Sequence, residues 1–391
     1  MRPLLDTFAT SDGTSDTDAG ASDPRVVRTR GTSWHRLTVT DVLRLTEEAV
    51  AVTLHVPDDL RDTFAHRPGE HVVVRHRRAG CELRRSYSVC LPPGDPDAFR
   101  LVIKRGAPNG FGAYATTILA TGDTLELAPP GGTFALPALP GAHHVLIAGG
   151  SGITPLITMA AAVLREDPTC RVSLIHAVPT AAKALLADEL AELKDAFVDR
   201  FTALHVLTRE DRGSELVSGR VDTAKLPRLL AALDASPGPG TTFALCGPEG
   251  LVTEVGHTLL AQGADPAAVR SETFTSASGT RQNPAQGMPP LTPPADARPT
   301  RITALFGGRR TVVTGEPREN VLLDALLRAY PDVPYACREG VCGTCRAKIL
   351  TGEVDLGGGQ YALDTEELAA GYTLVCRARP LTAEVTLDFD A

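Results

Sequence analysis

Four cysteines near the end of the chain constrain its fold more than any other feature. They are Cys337, Cys342 and Cys345, spaced as C-x4-C-x2-C, and Cys376, which follows after thirty intervening residues. Four thiolates at such intervals indicate a loop that holds a metal group. Gly340 and Gly343 lie inside this loop, where the lack of a Cβ lets backbone amides wrap closely around a buried group. The cysteines therefore define a compact metal-binding unit.

This spacing resembles that of the plant-type ferredoxins, in which four thiolates hold a [2Fe–2S] cluster. The resemblance implies a β-grasp domain, with a mixed sheet, one main helix and a cluster that passes single electrons. A structural zinc site with four cysteine ligands is the alternative, although zinc-binding cysteines are usually spaced two and two. A disulfide framework is less favoured because nothing in the chain indicates export.

Composition excludes several classes of function. The 391 residues are enough for two to four domains, and the formal net charge of −8 argues against a nucleic-acid partner. The chain has no run of eighteen or more apolar residues, which would be needed for a membrane span. Its N-terminus lacks the basic-then-apolar order of a signal peptide, so a cytoplasmic location is expected.

The local pattern divides the chain into five segments. Residues 1–33 are rich in Ser, Thr, Asp and Gly and are predicted to be a disordered tail. Residues 34–138 contain short β-rich runs between turns, which predicts an antiparallel β-barrel with strands at residues 50–56, 71–75, 101–104 and 124–128. Residues 139–275 alternate strands with helices, one of them at residues 181–194, which predicts a parallel α/β domain. Residues 276–300 form a Pro-rich linker, and residues 301–391 form the ferredoxin-type domain, in which residues 372–376 are predicted to be a strand.

A four-residue motif in the barrel segment suits a flavin. In Arg85-Ser86-Tyr87-Ser88, a guanidinium can bind a diphosphate through two hydrogen bonds and an aromatic ring offers a flat apolar face. The motif resembles the Arg-x-Tyr-Ser signature of the ferredoxin–NADP reductase superfamily. The resemblance implies that Arg85 meets the diphosphate, Tyr87 meets the isoalloxazine and Ser88 hydrogen-bonds the flavin N5 edge.

The flavin site is predicted to continue after the strand at residues 101–104. Residues 109–114 read Asn-Gly-Phe-Gly-Ala-Tyr, and the resemblance implies that they open a helix whose first amides bind flavin phosphates. The family usually has a hydroxyl residue where Gly112 stands and Gln where Glu70 stands. Residues 129–134 resemble the Pro-Pro-x-Gly-x-Phe segment of FAD-type members, so FAD is expected. The predicted flavin-binding residues are Arg85, Ser86, Tyr87, Ser88, Val102, Ile103, Lys104, Gly110, Phe111, Gly112 and Ala113.

The α/β segment contains a dinucleotide-binding turn. A buried strand at residues 144–148 is followed by a Gly-rich turn and an amphipathic stretch at residues 156–164, an order that places phosphates on amides at a helix start. The turn matches a seven-residue string of the same superfamily. Its residues are Gly149, Gly150, Ser151, Gly152, Ile153, Thr154 and Pro155.

Two further motifs resemble the family's nicotinamide site. Cys-Gly-Pro at residues 246–248 follows a strand, although a merely buried thiol is the ordinary alternative. Glu-x-Phe at residues 272–274 resembles the end of the family's nucleotide domain. The residues assigned to catalysis are Ser88, Cys246 and Glu272, and those assigned to nicotinamide contact are Cys246, Gly247, Pro248 and Phe274.

The choice between NADH and NADPH is weakly marked. Thr208 and Arg209 resemble a family pair whose Arg meets the NADP 2′-phosphate, a role that suits a guanidinium fork. Against this, Val178 and Pro179 stand where the family often has an Asn-Arg pair. We expect NADPH to be slightly favoured.

The order of flavin barrel, nucleotide domain and C-terminal ferredoxin domain resembles the reductase components of bacterial multicomponent oxygenases. This resemblance implies that electrons pass from NAD(P)H through FAD and the cluster to an oxygenase or hydroxylase partner, either epoxidising or ring-hydroxylating. A reductase for a Rieske oxygenase or a cytochrome P450 is an alternative, as is a redox carrier or sensor without nicotinamide chemistry. Neither nucleic acid nor membrane is an expected partner.

Overall fold

A computed structural model describes residues 33–78, 81–90, 99–274, 299–316, 321–356, 360, 362–363 and 365–391. The predicted tail lies outside these residues except for Ser33, and the predicted linker lies outside them except for its last two positions. Within the described ranges, no helix combines the length and apolar character that crossing a membrane requires.

Six strands of the barrel segment form one antiparallel sheet, as predicted. They are β1 (His35–Thr46), β2 (Ala49–His55), β3 (His71–Arg78), β4 (Cys81–Ser88), β5 (Phe99–Lys104) and β6 (Thr124–Leu127), with short helices α1 (Arg61–Phe64) and α2 (Phe111–Thr117). Their order in the sheet is β4-β3-β6-β1-β2-β5. A bridge between Val89 and Leu101 joins the two edges, which closes the sheet into a barrel. In β1, Leu37 and Val39 point into the barrel core while Thr38 is exposed, following the two-residue period of a strand.

Five parallel strands form the second sheet, with helices on both faces. Its elements are β7 (His143–Gly149), α3 (Ile153–Glu166), β8 (Arg171–Val178), α4 (Ala187–Ala196), β9 (Phe201–Leu207), α5 (Lys225–Ala232), β10 (Thr241–Pro248), α6 (Glu249–Ala261) and β11 (Val269–Phe274). The sheet order is β11-β10-β7-β8-β9. Leu156 and Leu190 belong to the core on one face, and Leu226 and Leu259 to the core on the other. The strand order reverses between β7 and β10, and such a switch point is where open α/β sheets bind ligands.

The third sheet is mixed, as the β-grasp prediction requires. Its elements are β12 (Thr300–Phe306), β13 (Arg309–Gly315), α7 (Leu322–Ala329), β14 (Arg346–Thr351), β15 (Val354–Asp355), α8 (Thr365–Ala369), β16 (Tyr372–Leu374), β17 (Arg379–Pro380) and β18 (Glu384–Asp388). The main sheet has the order β13-β12-β18-β14-β16, with β12 and β18 parallel and the other pairs antiparallel. Leu322 and Leu326 of α7 pack into its core with Leu374 and Val385.

Element bounds differ from the sequence predictions at two informative places. The helix predicted at residues 181–194 is divided, because Leu186 adopts a left-handed conformation with φ of 58° and α4 begins only after it. Leu185 and Leu186 are both buried, so this turn places two adjacent leucines in the core. The strand predicted at residues 372–376 ends at Leu374, which leaves Cys376 in the turn that follows.

Candidate flavin, nucleotide and cluster sites

The ends of β7 and β10 approach each other closely at the switch point. A Cβ on Gly152 would lie 2.0 Å from the carbonyl oxygen of Cys246, and a Cβ on Gly247 would lie 2.9 Å from the Cα of Gly149. Helix α3 begins directly afterwards, at Ile153, and its first N–H groups have no partners within the helix. The predicted Gly-rich turn therefore leads into a helix start at the switch point, an arrangement that is able to bind phosphate groups.

Cys246 and Glu272 lie side by side on β10 and β11. The Sγ atom of Cys246 is 4.0 Å from Oε2 of Glu272. Burial raises the pKa of Cys246 well above its ordinary value, and burial together with the neighbouring Cys342 raises the pKa of Glu272 to about 8. Both groups are therefore neutral at pH 7, which places a protonated carboxyl at the predicted nicotinamide site. Gly247 and Pro248 continue β10, where Pro248 pairs with Phe274 of β11.

Strand β4 carries buried hydroxyl groups that lack partners. Among the described residues, the hydroxyl oxygens of Ser86 and Ser88 are buried and accept or donate no hydrogen bond. The ring of Tyr87 lies 5.8 Å from the ring of Phe111, and burial raises the pKa of Tyr87 strongly. Arg85 is exposed on the same strand. Because an unpaired buried hydroxyl is costly, Ser88 fits the predicted hydrogen bond to a flavin.

Helix α2 supplies the predicted phosphate amides and explains one departure from the family. Its N-cap is Gly110, in an extended conformation, and Phe111, Gly112 and Ala113 form the first turn. A Cβ on Gly112 would lie 2.3 Å from the carbonyl oxygen of Lys104. The hydroxyl residue that is usual in the family therefore does not fit this backbone.

The three predicted flavin contacts on β5 are not equivalent. The side chain of Ile103 is buried in the barrel core, and that of Val102 packs in the core shared with the parallel sheet. Lys104 is exposed, and its Nζ lies 4.0 Å from Oε2 of Glu48. Any contact of Val102 or Ile103 with a cofactor therefore comes from the backbone.

Thr208 and Arg209 lie next to Val178 and Pro179 at the carboxyl end of the sheet. The amide of Thr208 donates to the carbonyl of Val178 at 2.8 Å, and the amide of Arg209 donates to that of Pro179 at 2.9 Å. Arg209 is exposed, so its guanidinium is accessible to a ligand. The two sequence features that bear on the choice between NADH and NADPH, residues 178–179 and 208–209, therefore lie side by side in the structure.

The cysteine loop brings its four sulfur atoms together as two pairs. Cys337 lies beside Cys342, and Cys376 lies beside Cys345. In the part of the chain that the structure describes, no three His, Cys, Asp or Glu side chains are arranged as ligands of one metal ion. Two thiolate pairs fit a cluster with two irons better than a single tetrahedral zinc.

The backbone of this loop donates to the sulfurs. The amide of Glu339 donates to Sγ of Cys337 at 3.3 Å, and the amide of Gly340 donates to Cys376. Gly340 and Gly343 have φ values of 80° and 67°, a region that favours glycine. Donors of this kind tune the reduction potential of an iron–sulfur cluster.

His71, which the sequence analysis did not select, lies where the three units meet. It pairs with Ser88 in the register of β3 and β4. Its Nε2 is 3.4 Å from Oγ1 of Thr344, and its Nδ1 is 3.8 Å from Oε1 of Glu272. Burial lowers the pKa of His71, so it faces the protonated Glu272 as a neutral group and not as an ion pair. In the sequence, the only feature that could have marked His71 is its position shortly after the Pro68-Gly69 turn.

Comparison with known proteins agrees with this arrangement. Two family descriptions match, the oxidoreductase NAD-binding domain over residues 146–257 and the 2Fe-2S iron-sulfur cluster binding domain over residues 306–381. Together they define a nicotinamide-dependent reductase with an attached iron–sulfur domain. The fold is shared with the solved structure of phthalate dioxygenase reductase, at a TM-score of 0.53 and 22% identity over 91% of this chain and 98% of that one.

Two relatives show more closely which kind of nicotinamide-dependent reductase this chain resembles. The chain is 35% identical over 364 residues to a component of the 1,2-phenylacetyl-CoA epoxidase of Escherichia coli (strain K12), covering 92% of this chain and 99% of that protein. It is 33% identical over 367 residues to the ferredoxin reductase component of 3-ketosteroid-9-alpha-monooxygenase of Rhodococcus rhodochrous, covering 90% and 96%. The chain belongs to the ferredoxin–NADP reductase superfamily, among the oxygenase reductases with a C-terminal plant-type ferredoxin domain. It is an NAD(P)H-dependent oxidoreductase whose cofactors are FAD and a [2Fe–2S] cluster.

Proposed function

We propose that this protein supplies electrons to an epoxidising or ring-hydroxylating monooxygenase component. The observation that carries the proposal is the position of His71. One buried side chain lies 3.8 Å from Glu272 of the nicotinamide site and 3.4 Å from Thr344 of the cluster loop. It is also paired in register with Ser88 of the flavin strand. The nicotinamide site, where electrons enter, and the cluster loop, where they leave, therefore meet at one junction.

The residues of the barrel hold and orient the flavin in this proposal. Arg85 binds the diphosphate, Tyr87 covers the isoalloxazine, and the unpaired hydroxyl of Ser88 takes the N5 edge. Bound FAD accepts a hydride and releases its two electrons singly, chemistry that belongs to the cofactor. What the chain adds is the fixed orientation of that edge toward the nicotinamide site.

The switch-point residues position the nicotinamide nucleotide. The first turn of α3 holds its diphosphate, and Gly149 and Gly247 let β7 and β10 approach closely beside Cys246. Glu272, with its pKa raised to about 8, holds a proton close to this ring. A flavin that accepts a hydride would gain negative charge, and a neutral Glu272 places no fixed negative charge beside it.

In this proposal, electrons leave the protein from the cluster held by the cysteine loop. Thr344, which touches His71, directly precedes the ligand Cys345, so this part of the loop faces the flavin strand. Resemblance to the phenylacetyl-CoA epoxidase component supports an oxygenase as acceptor. A cytoplasmic location suits a supply of NAD(P)H, and none of the seven described cysteines forms a disulfide.

Purified protein tests the proposal. Its visible spectrum should combine flavin bands with a broad reddish-brown cluster absorption, and NAD(P)H should bleach both under anaerobic conditions. Colourless protein, or coloured protein that NAD(P)H does not reduce, would contradict it. The acceptor is tested by product formation with an epoxidising component, compared with a Rieske oxygenase and a cytochrome P450.

The nucleotide preference needs a separate variant. We propose that Arg209 binds the 2′-phosphate of NADPH, because its side chain is exposed at the predicted adenosine end. Arg209→Ala should then raise the KM for NADPH by about tenfold, the loss of one charge-assisted hydrogen bond, and leave the KM for NADH unchanged. Equal effects on both nucleotides would remove this role.

A further inference from the structure

Arg84 reaches across from the barrel to the ferredoxin domain. It lies on β4 directly before the flavin motif, and its side chain is only 3% exposed. Its Nη2 donates to the carbonyl of Pro331 at 2.9 Å, and its Nη1 donates to the carbonyl of Val333 at 3.4 Å. Alternate residues of a strand point to opposite sides, so Arg84 points away from Arg85 and Tyr87. Arg84 shares its side of the strand with Ser86 and Ser88, and this side meets the ferredoxin domain.

Two aromatic rings and a carboxylate complete the surroundings of Arg84. Its guanidinium carbon lies 4.9 Å from the ring centre of Trp34 and 4.2 Å from that of Tyr335. Its Nε donates to Oε1 of Glu82 at 2.8 Å. The rings come from opposite sides of the junction, Trp34 from the barrel segment and Tyr335 from the ferredoxin domain. A buried guanidinium with all these contacts fixes a geometry that lysine does not reproduce.

The segment that Arg84 contacts, residues 331–335, leads directly into the cluster ligands. Tyr335 is followed by Ala336 and Cys337, and Ala336 packs with Cys342 against Val73 of β3. A shift of the segment therefore moves the ligand loop relative to the flavin strands.

We propose that Arg84 is a positioning residue that sets the separation between the flavin and the cluster, and with it the rate of electron transfer between them. It touches neither cofactor site and acts by holding the segment before Cys337. This inference rests on the proposed function, because it assumes that electrons pass from flavin to cluster inside one chain.

The first test is a pair of rates in the full, cofactor-loaded protein. Anaerobic stopped-flow absorbance separates reduction of the flavin by NAD(P)H from reduction of the cluster. Arg84→Ala should leave flavin reduction unchanged and slow cluster reduction at least about tenfold, as expected from a small displacement of reacting groups. Arg84→Lys, which keeps the charge but loses the fork, should be nearly as slow.

The matched control is Arg77→Ala. Arg77 also pairs with Glu82, with Nε 3.2 Å from Oε2, but its side chain is 60% exposed. Arg77→Ala should leave the rates of flavin reduction and cluster reduction unchanged. Tyr335→Leu approaches the same contact from the ferredoxin side, and should slow cluster reduction without adding to the effect of Arg84→Ala.

Trp34 gives a readout that does not depend on turnover. It is the only tryptophan of the chain, and its indole nitrogen is buried. Emission should shift to longer wavelength in Arg84→Ala and Tyr335→Leu and stay unchanged in Arg77→Ala. If Arg84→Ala does not fold, Arg84→Lys and Tyr335→Leu decide the matter.

The outcomes separate this inference from the proposed function. Unchanged cluster reduction in Arg84→Lys and Tyr335→Leu would overturn the role of Arg84 and leave the proposed function standing. Absence of cluster reduction by NAD(P)H in the unsubstituted protein would contradict the proposed function itself.

Discussion

The barrel makes two junctions, and they are built differently. Toward the parallel sheet it shares a continuous apolar core, in which Val102 and Phe134 pack with Leu156 and Met159. A buried ion pair, Arg100 Nη1 to Glu189 Oε1 at 3.0 Å, crosses the same junction.

Toward the ferredoxin domain, the apolar contact is small, with Val73, Ala336 and Cys342 as its buried members. Among the described residues, Arg84 and His71 add hydrogen bonds across this junction, and the guanidinium of Arg84 lies over the ring of Tyr335. Domains joined by a small, polar interface move independently more easily than domains that share a core. We therefore expect the flavin and nucleotide units to behave as one body and the ferredoxin domain to behave as another.

Among the substitutions that distinguish the two junctions, removal of a cluster ligand should have the largest effect on electron delivery. Cys342→Ser should abolish electron delivery to a protein acceptor, because an iron loses a thiolate. Reduction of the flavin by NAD(P)H should persist, since the shared core is untouched. The control is flavin bleaching in the same preparation, and full oxygenase turnover by this variant would contradict the assigned order of electron flow.

A substitution at the switch point should block the opposite end of the path. In Gly152→Ala the new Cβ would lie 2.0 Å from the carbonyl oxygen of Cys246, so the strands must separate. Such overpacking costs roughly 1–3 kcal/mol and should slow flavin reduction about a hundredfold. Cluster reduction by dithionite should remain normal.

Gly250→Ala is the matched control for that variant. It lies in the first turn of α6 with open space around a new Cβ. Both stability and flavin reduction should stay close to those of the unsubstituted protein. Equal damage from the two variants would remove the argument from close strand approach.

The shared core is tested by cavity formation. Met159 is buried between barrel and parallel sheet, and Met159→Ala should lower the free energy of unfolding by about 2–5 kcal/mol. Calorimetry should show barrel and nucleotide units unfolding together at the lower temperature, with the ferredoxin transition unmoved. A shift of all transitions by the same amount would contradict the two-body account.

The smallest expected effect concerns pH. Burial raises the pKa of Glu272 from 4.5 to about 8, so the protonated form is favoured on folding. Its contribution to stability is therefore complete below the ordinary pKa and is lost as the pH rises through about 8. Between pH 7 and 8 this loss should amount to about 1 kcal/mol.

Glu272→Gln isolates that contribution. The variant should lack this fall in the free energy of unfolding between pH 7 and 8, measured by urea titration. Buried histidines such as His71 and His176 have a lowered pKa in the folded state and are partly protonated near pH 7 only when unfolded. Both proteins contain these histidines, so their contribution cancels in the difference between the two curves. Parallel curves for variant and unsubstituted protein would show that Glu272 is ionised in the folded state.

The two junctions also explain what could be predicted from the sequence. Fold class, cofactors and the three-sheet organisation follow from local strings, such as the cysteine spacing and the Gly-rich turn, because each string folds against its own neighbours. Strands β1 and β4 were not predicted as strands, since their polar residues obscure the alternation. Assignments of individual site residues remain predictions that the variants above test.

Contacts between units could not be predicted. Arg84 and Pro331 are 247 positions apart, and His71 and Thr344 are 273 apart. No local pattern marks either pair, because each depends on how two folded units dock. Nor does a local pattern mark the raised pKa of Glu272, which comes from burial and from the neighbouring Cys342 of the ferredoxin domain.

The most direct measurement is anaerobic stopped-flow mixing of the loaded protein with NAD(P)H at several protein concentrations. Flavin absorbance should fall first and cluster absorbance second, with the second rate independent of protein concentration because transfer occurs within one chain. A cluster that stays oxidised, or a cluster rate that rises in proportion to protein concentration, would contradict transfer across the junction at His71.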